Sequence, residues 1–143
     1  MSDYEHYEAL VVGAGPGGAA AAATFANYGI ETLVLERGVE SGSKNVSGGL
    51  IYAEESAPYT IDGLFPGFRE EASERPITKY RIHNLAGDKV ESFDLTGLHE
   101  HDTEWSDSVL RRKMDSWLED RVHERARETG GGLLTGVHVN GLL

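Results

Sequence analysis

The chain has 143 residues, 39% of them hydrophobic and 26% charged, enough for one soluble domain around a single core. Its net charge of −11, from 24 acidic against 13 basic residues, argues against a nucleic-acid binder, which needs Lys and Arg to neutralise phosphates. The absence of cysteine excludes disulfides, thiolate nucleophiles and Cys-ligated iron–sulfur clusters within these residues.

The opening MSDYEHYEAL lacks the basic and apolar regions of a secretory signal. The longest apolar run falls far short of the ~20 residues of a membrane-spanning helix. The expectation is a cytoplasmic chain, with contact at the inner face of the membrane left open. Among the basic residues only Lys44, Lys79, Lys89 and Lys113 are lysines. That composition suits a salt-rich cytoplasm, where a solvated acidic surface aids solubility, and fits an ordinary acidic protein equally well.

In chain order, Glu8 to Val12 is a short apolar run stopped by Gly13, the pattern of a buried parallel strand. Pro16 follows where a first helical turn tolerates it. Gly18 to Tyr28 is alanine-rich and predicts a helix closed by Gly29. Glu31 to Glu36, ETLVLE, predicts the second strand of a βαβ unit. Beyond the glycine-rich SGSKNVSGG at 41–49, the stretch 53–107 is less regular. Within it, Ile77 to Leu85 and Val90 to Leu95 predict a hairpin across AGDK. Leu110, Met114, Trp117, Leu118, Val122 and Ala126 then form one apolar stripe, predicting a long helix. Arg121 and Glu124 sit at a supportive spacing on its polar side. Gly130 to Gly132 end that helix, and LLTGVHV predicts a strand. Asn140-Gly141 is a two-residue hairpin signal, and with only two residues after it the expectation is a chain cut short. The expected fold is α/β, a Rossmann-like FAD/NAD(P)-binding domain with a parallel sheet. Its parts are a βαβ unit and flavin loop over 8–52, an insert with a hairpin over 53–107, and a returning helix and strand over 108–143.

The chemistry-bearing motif is Gly13-Ala14-Gly15-Pro16-Gly17-Gly18, a match to G-x-G-x-x-G. The first glycine makes the tight turn, the second lets a pyrophosphate approach the backbone, and the third lets helix and strand pack closely. The phosphates belong at the helix N-terminus, where free N–H groups and the dipole favour an anion. Glu36 lies eighteen residues after Gly18. A carboxylate there accepts from a ribose 2′-OH and repels a 2′-phosphate, which favours FAD or NAD over NADP. Arg37 follows as in the E-[RK] pair of many flavoproteins. Arg111 and Arg112, expected just before the long helix, offer guanidinium groups suited to phosphate or ribityl oxygens. The six histidines form no metal pattern, and the cluster His99-Glu100-His101 reads as a polar loop. No Ser/His/Asp set or carboxylate pair stands out, which fits redox chemistry performed by a cofactor.

Three pieces together, VVGAGPGG with LVLERG, then GSKNVSGGLIY, then VLRRKMDSWLEDRV leading to TGVHV, resemble one flavoprotein group. It comprises the FixC-type and electron-transfer-flavoprotein:quinone oxidoreductases, with the geranylgeranyl reductases as relatives. The resemblance runs from about Leu10 to the end and is weakest between Ala53 and Asp107. It implies FAD as cofactor, with Gly13, Gly15 and Gly18 at the pyrophosphate and Glu36 at the adenosine ribose. It further implies Arg111 at the flavin nucleotide, Val137 at the adenine through its backbone, and Asn45, Val46, Ser47, Gly48 and Gly49 beside the isoalloxazine. Met114 stands where Phe is more usual. The implied activity passes electrons from an electron-transfer flavoprotein through FAD to quinone or a ferredoxin-like partner. A prenyl-lipid reductase is the alternative, and a nucleotide-binding fragment without catalysis is a third reading. The group's later GD-type flavin motif and its substrate or quinone domain have no counterpart in these residues.

Overall fold

The computed structural model describes residues 4–52, 60–95 and 106–141. Strand β1 (Ala9–Val12) runs into helix α1 (Pro16–Asn27) and back to β2 (Thr32–Leu35), which pairs parallel with β1 from Ala9↔Thr32 to Val12↔Leu35. Helix α1 starts with Pro16 at its first position and closes at Tyr28, with Gly29 at φ +73°. Glycine reaches this left-handed conformation without a Cβ penalty.

A second sheet is antiparallel, in the order β3 (Gly48–Tyr52), β7 (Ser106–Leu110), β4 (Arg75–Ile77). Between β3 and β4 lie two single-turn helices, α2 (Ile61–Leu64) and α3 (Phe68–Glu71). The hairpin consists of β5 (Arg81–Ala86) and β6 (Lys89–Asp94), joined by the two residues Gly87 and Asp88. It starts later than the sequence suggests, because Ile77 pairs with Ser106 in β4. Helix α4 (Arg111–Glu128) then leads to β8 (Gly132–Leu134), which joins β2 in parallel and gives the sheet order β1-β2-β8.

Three further expectations are corrected. Leu110 is not part of the helical stripe; it ends β7, opposite Gly48, and is exposed. Arg111 and Arg112 do not precede the long helix but are its first two residues. The strand drawn over LLTGVHV stops at Leu134, since Gly136 turns at φ +72° and donates its N–H to the Gly38 carbonyl at 2.8 Å. The pair Arg121–Glu124 forms at 2.9 Å. His99-Glu100-His101 lies outside the described residues.

Helices α1 and α4 pack together over one face of the parallel sheet. Ala19, Ala22 and Ala23 of α1 meet Met114, Leu118 and Val122 of α4 in a core with Val11, Val34 and Leu133. Phe65 and Phe68 extend it, each edge-on to Trp117 at 6.3 and 6.0 Å between centroids, the tilted geometry aromatic pairs prefer. Among the described residues, no helix is long and apolar enough to cross a membrane.

The descent of α1 onto β1 is closest at Gly18, where a Cβ would lie 1.8 Å from the Gly13 carbonyl oxygen. Backbone cannot yield as a side-chain tip can, so Gly18→Ala is expected to lose more than about 2 kcal/mol of stability in urea unfolding. A Cβ on Gly17 meets open space, and Gly17→Ala is expected to stay within about 0.5 kcal/mol of the parent.

Candidate functional site

At the end of β1 the chain turns at Gly13, φ +97°, whose N–H donates to the Leu35 carbonyl of β2 at 2.8 Å. The turn delivers Gly15 to the N-cap of α1, where no side chain satisfies the helix N-terminus and the first turn carries no acidic residue. A Cβ on Gly15 would stand in open space. Unpaired backbone N–H groups and the positive end of the helix dipole therefore meet an accessible surface, the physical requirement for holding a phosphate.

Glu36 stands where β2 stops. Its Oε2 accepts from the Ala14 N–H at 2.8 Å and its Oε1 from the Gly38 N–H at 2.6 Å. The carboxylate is thus fixed beside the glycine turn by two backbone donors, and each oxygen keeps a lone pair for a hydroxyl. The segment after β8 is drawn to the same place. Val137 donates its N–H to the Glu36 carbonyl at 2.9 Å, so its amide is engaged and its carbonyl is the backbone group left for a ligand.

Arg111 opens α4 directly opposite. Its Nε and Nη2 each hold one oxygen of Asp115 at 3.0 Å, and its backbone N–H donates to the Ser47 carbonyl at 3.1 Å. The Asp115 hydrogen bonds hold the guanidinium above its ordinary pKa although partial burial pulls the other way. Asn45 donates its Nδ2–H to Asp115 Oδ2 at 2.6 Å. Nearby, the Ser41 N–H donates to Glu119 at 2.5 Å and the Ser116 hydroxyl to Glu40 at 3.0 Å.

Of the residues singled out from sequence, Gly15, Glu36, Arg37, Asn45 and Arg111 line one cleft. Gly13, Glu36, Arg37 and Val137 line an adjoining one, walled by Val12, Leu35 and Val139. Ala14 is buried, its N–H spent on Glu36; Pro16, Gly17 and Gly18 form the base of α1. Val46 projects fully into solvent, Ser47 gives its carbonyl to Arg111, and Gly48 and Gly49 are not loop but the start of β3, opposite Leu110 and Val109. None of these four lines the two clefts. Sequence reasoning missed Asp115. The signal was present: with Arg111, Leu118 and Val122 it falls at i, i+4, i+7 and i+11, a carboxylate inside an apolar stripe. Among the described residues no cluster of three metal-ligating side chains occurs.

The chain matches the model of an FAD binding domain over residues 6–54. It is 37% identical over 139 residues to Protein FixC of Escherichia coli O157:H7, an alignment covering 96% of this chain and 30% of that protein. It is 35% identical over 148 residues to the probable electron transfer flavoprotein-quinone oxidoreductase YdiS of Escherichia coli K12, covering 100% of this chain and 32% of the relative. Among solved structures, a geranylgeranyl bacteriochlorophyll reductase-like protein from Thermoplasma acidophilum superposes with a TM-score of 0.65 at 23% identity, covering 94% of this chain and 32% of that one. The chain spans about a third of the length of these relatives.

Because Glu36 bridges two amides, Glu36→Gln turns one acceptor into a donor facing a donor. In the absence of nucleotide it is expected to lower stability by about 1–3 kcal/mol, read by urea unfolding. Glu40→Gln, which keeps an acceptor for one hydroxyl, is expected to cost less than about 1 kcal/mol by the same measurement.

Proposed function

We propose, for a chain that corresponds to the N-terminal, FAD-binding portion of the FixC-type flavoproteins, that its two adjoining clefts hold FAD for electron transfer. The observation that carries the reading is a single one. The N-cap glycine of α1, a fixed carboxylate at the end of β2, and an arginine at the start of α4 all line one cleft.

The residues fit the group. Gly13, Gly15 and Gly18 let the pyrophosphate come to the free N–H groups of α1, and Glu36 accepts from the adenosine ribose. Arg37 lies beside the adenosine, and the Val137 carbonyl together with Val12 and Val139 forms an adenine slot. Arg111 reaches the pyrophosphate–ribityl stretch, Asn45 lines the same cleft toward the isoalloxazine end, and the ring itself extends past the two clefts along the 46–49 segment. When bound, FAD supplies the redox centre; these residues bind it, orient it and keep a 2′-phosphate away from Glu36.

The electron donor in this reading is an electron-transfer flavoprotein, and the acceptor is quinone or a ferredoxin-like protein. The likeness to YdiS, a probable electron transfer flavoprotein-quinone oxidoreductase, supports the flavoprotein donor and the quinone acceptor. The likeness to the geranylgeranyl reductase-like protein supports the fold alone.

The purified protein is expected to take up FAD and show flavin absorption near ~450 nm that is released on denaturation. Glu36→Ala is expected to raise the FAD dissociation constant about tenfold or more, the value of one charge-assisted hydrogen bond. Glu40→Ala is expected to change it far less. A colourless protein that takes up no added FAD, or equal effects of the two substitutions, would overturn the reading.

A further inference from the structure

Asp115 is 1% exposed on the face of α4 otherwise made of Met114, Leu118 and Val122. A carboxylate is tolerated in such a position only where donors replace the water it gives up. Three do so here: Arg111 Nε on Oδ1, and Arg111 Nη2 together with Asn45 Nδ2 on Oδ2. The two arginine bonds are parallel, the fork geometry that fixes a guanidinium in direction as well as distance. They leave its Nη1 donors for the cleft that Arg111 shares with Gly15 and Glu36.

Asp115 also bears on the loop that carries Asn45. A side chain at Gly42 would begin 2.5 Å from Asp115 Cβ, so backbone and carboxylate stem are packed without a gap. Stability alone is a poor reason for this arrangement, since well-packed apolar residues serve a core as well as a buried ion pair does. What the pair supplies that apolar residues cannot is direction.

We propose that Asp115 is a positioning residue for the dinucleotide, holding Arg111 and Asn45 as one rigid unit, with Arg111 against the pyrophosphate–ribityl stretch of FAD and Asn45 toward its isoalloxazine end. The proposal rests on the FAD reading above. Without Asp115 the guanidinium has several rotamers to choose from, and ordering it falls to the binding step, which weakens binding.

The test compares wild type, Asp115→Asn, Arg111→Gln and Arg111→Gln/Asp115→Asn by FAD titration, visible circular dichroism of the bound flavin, and melting without FAD. Asp115→Asn is expected to raise the FAD dissociation constant at least about tenfold and to alter the flavin dichroism. The double variant is expected to bind no worse than Arg111→Gln, because the two residues act through one contact. A purely structural Asp115 gives another pattern, with lower apo melting and losses in affinity that multiply. That pattern overturns the proposal, as does Asp115→Asn binding FAD with wild-type affinity and dichroism. If Asp115→Asn fails to fold, the double variant, which leaves no unpaired buried charge, carries the comparison with Arg111→Gln. Asn45→Ala then reads the other arm: a dissociation constant raised about threefold or more supports the role, and an unchanged one overturns it. Wild-type protein that takes up no FAD overturns the FAD reading itself, an outcome distinct from any ordering among the variants.

Discussion

The contact between Gly18 and the Gly13 carbonyl sets the geometry on which the site depends. With no Cβ at Gly18, α1 comes down onto β1 at backbone distance, and Val11 packs beneath it. That approach aims the N-terminus of α1 across the end of the parallel sheet. It also brings Ala14 within reach of Glu36, so the helix, the turn and β2 are joined by one carboxylate. A helix standing one side-chain layer higher would leave the Ala14 N–H without its acceptor and point the dipole elsewhere. The phosphate-facing amides and the ribose-facing carboxylate are two consequences of one close approach.

A chain of net charge −11 nevertheless presents a surface suited to an anion. The carboxylates around the clefts are already committed. Glu36 is held by two amides, Asp115 by Arg111 and Asn45, Glu119 by the Ser41 amide, and Glu40 by the Ser116 hydroxyl. Each lies against a donor that offsets part of its field, while the helix N-terminus carries no acidic residue in its first turn. Local dipoles thus outweigh a global charge that is more distant and screened within about 10 Å at ordinary salt. The remaining acidity at Glu36 favours a hydroxyl over a second phosphate.

The βαβ unit was legible in the sequence because its signals are local: an apolar run, three spaced glycines, an alanine-rich helix and a second apolar run ending in Glu36. Helix α4 was legible from its stripe. Strand β7 was not. Its sequence SDSVL begins with polar residues, and Ser106 and Asp107 are buried through long-range pairing with β3 on one side and β4 on the other. The same cause hid the true state of Gly48 and Gly49, which look like a flexible loop until Val109 and Leu110 are placed across from them. Asp115 was hidden differently. Its spacing marked it as a core position, but only Asn45, brought by the 41–49 segment from seventy residues earlier in the chain, and the Arg111 fork explain a charge there.

The second sheet does more than extend the fold, because its register determines which residues face the groove. Gly48 pairs with Leu110, so the next residue along, Arg111, meets the Ser47 carbonyl through its backbone as α4 begins. The 41–47 segment is thereby held at both ends, by β2 through Glu36 and Gly38 and by β3 through this ladder. A slip of one residue between β3 and β7 would turn the side chains of the slipped strand to the opposite face. It would also carry Arg111 away from Ser47 and Asp115 away from Asn45. Pairing in a sheet remote from the glycine turn therefore determines where the guanidinium stands, and the groove depends on both sheets being in register at once.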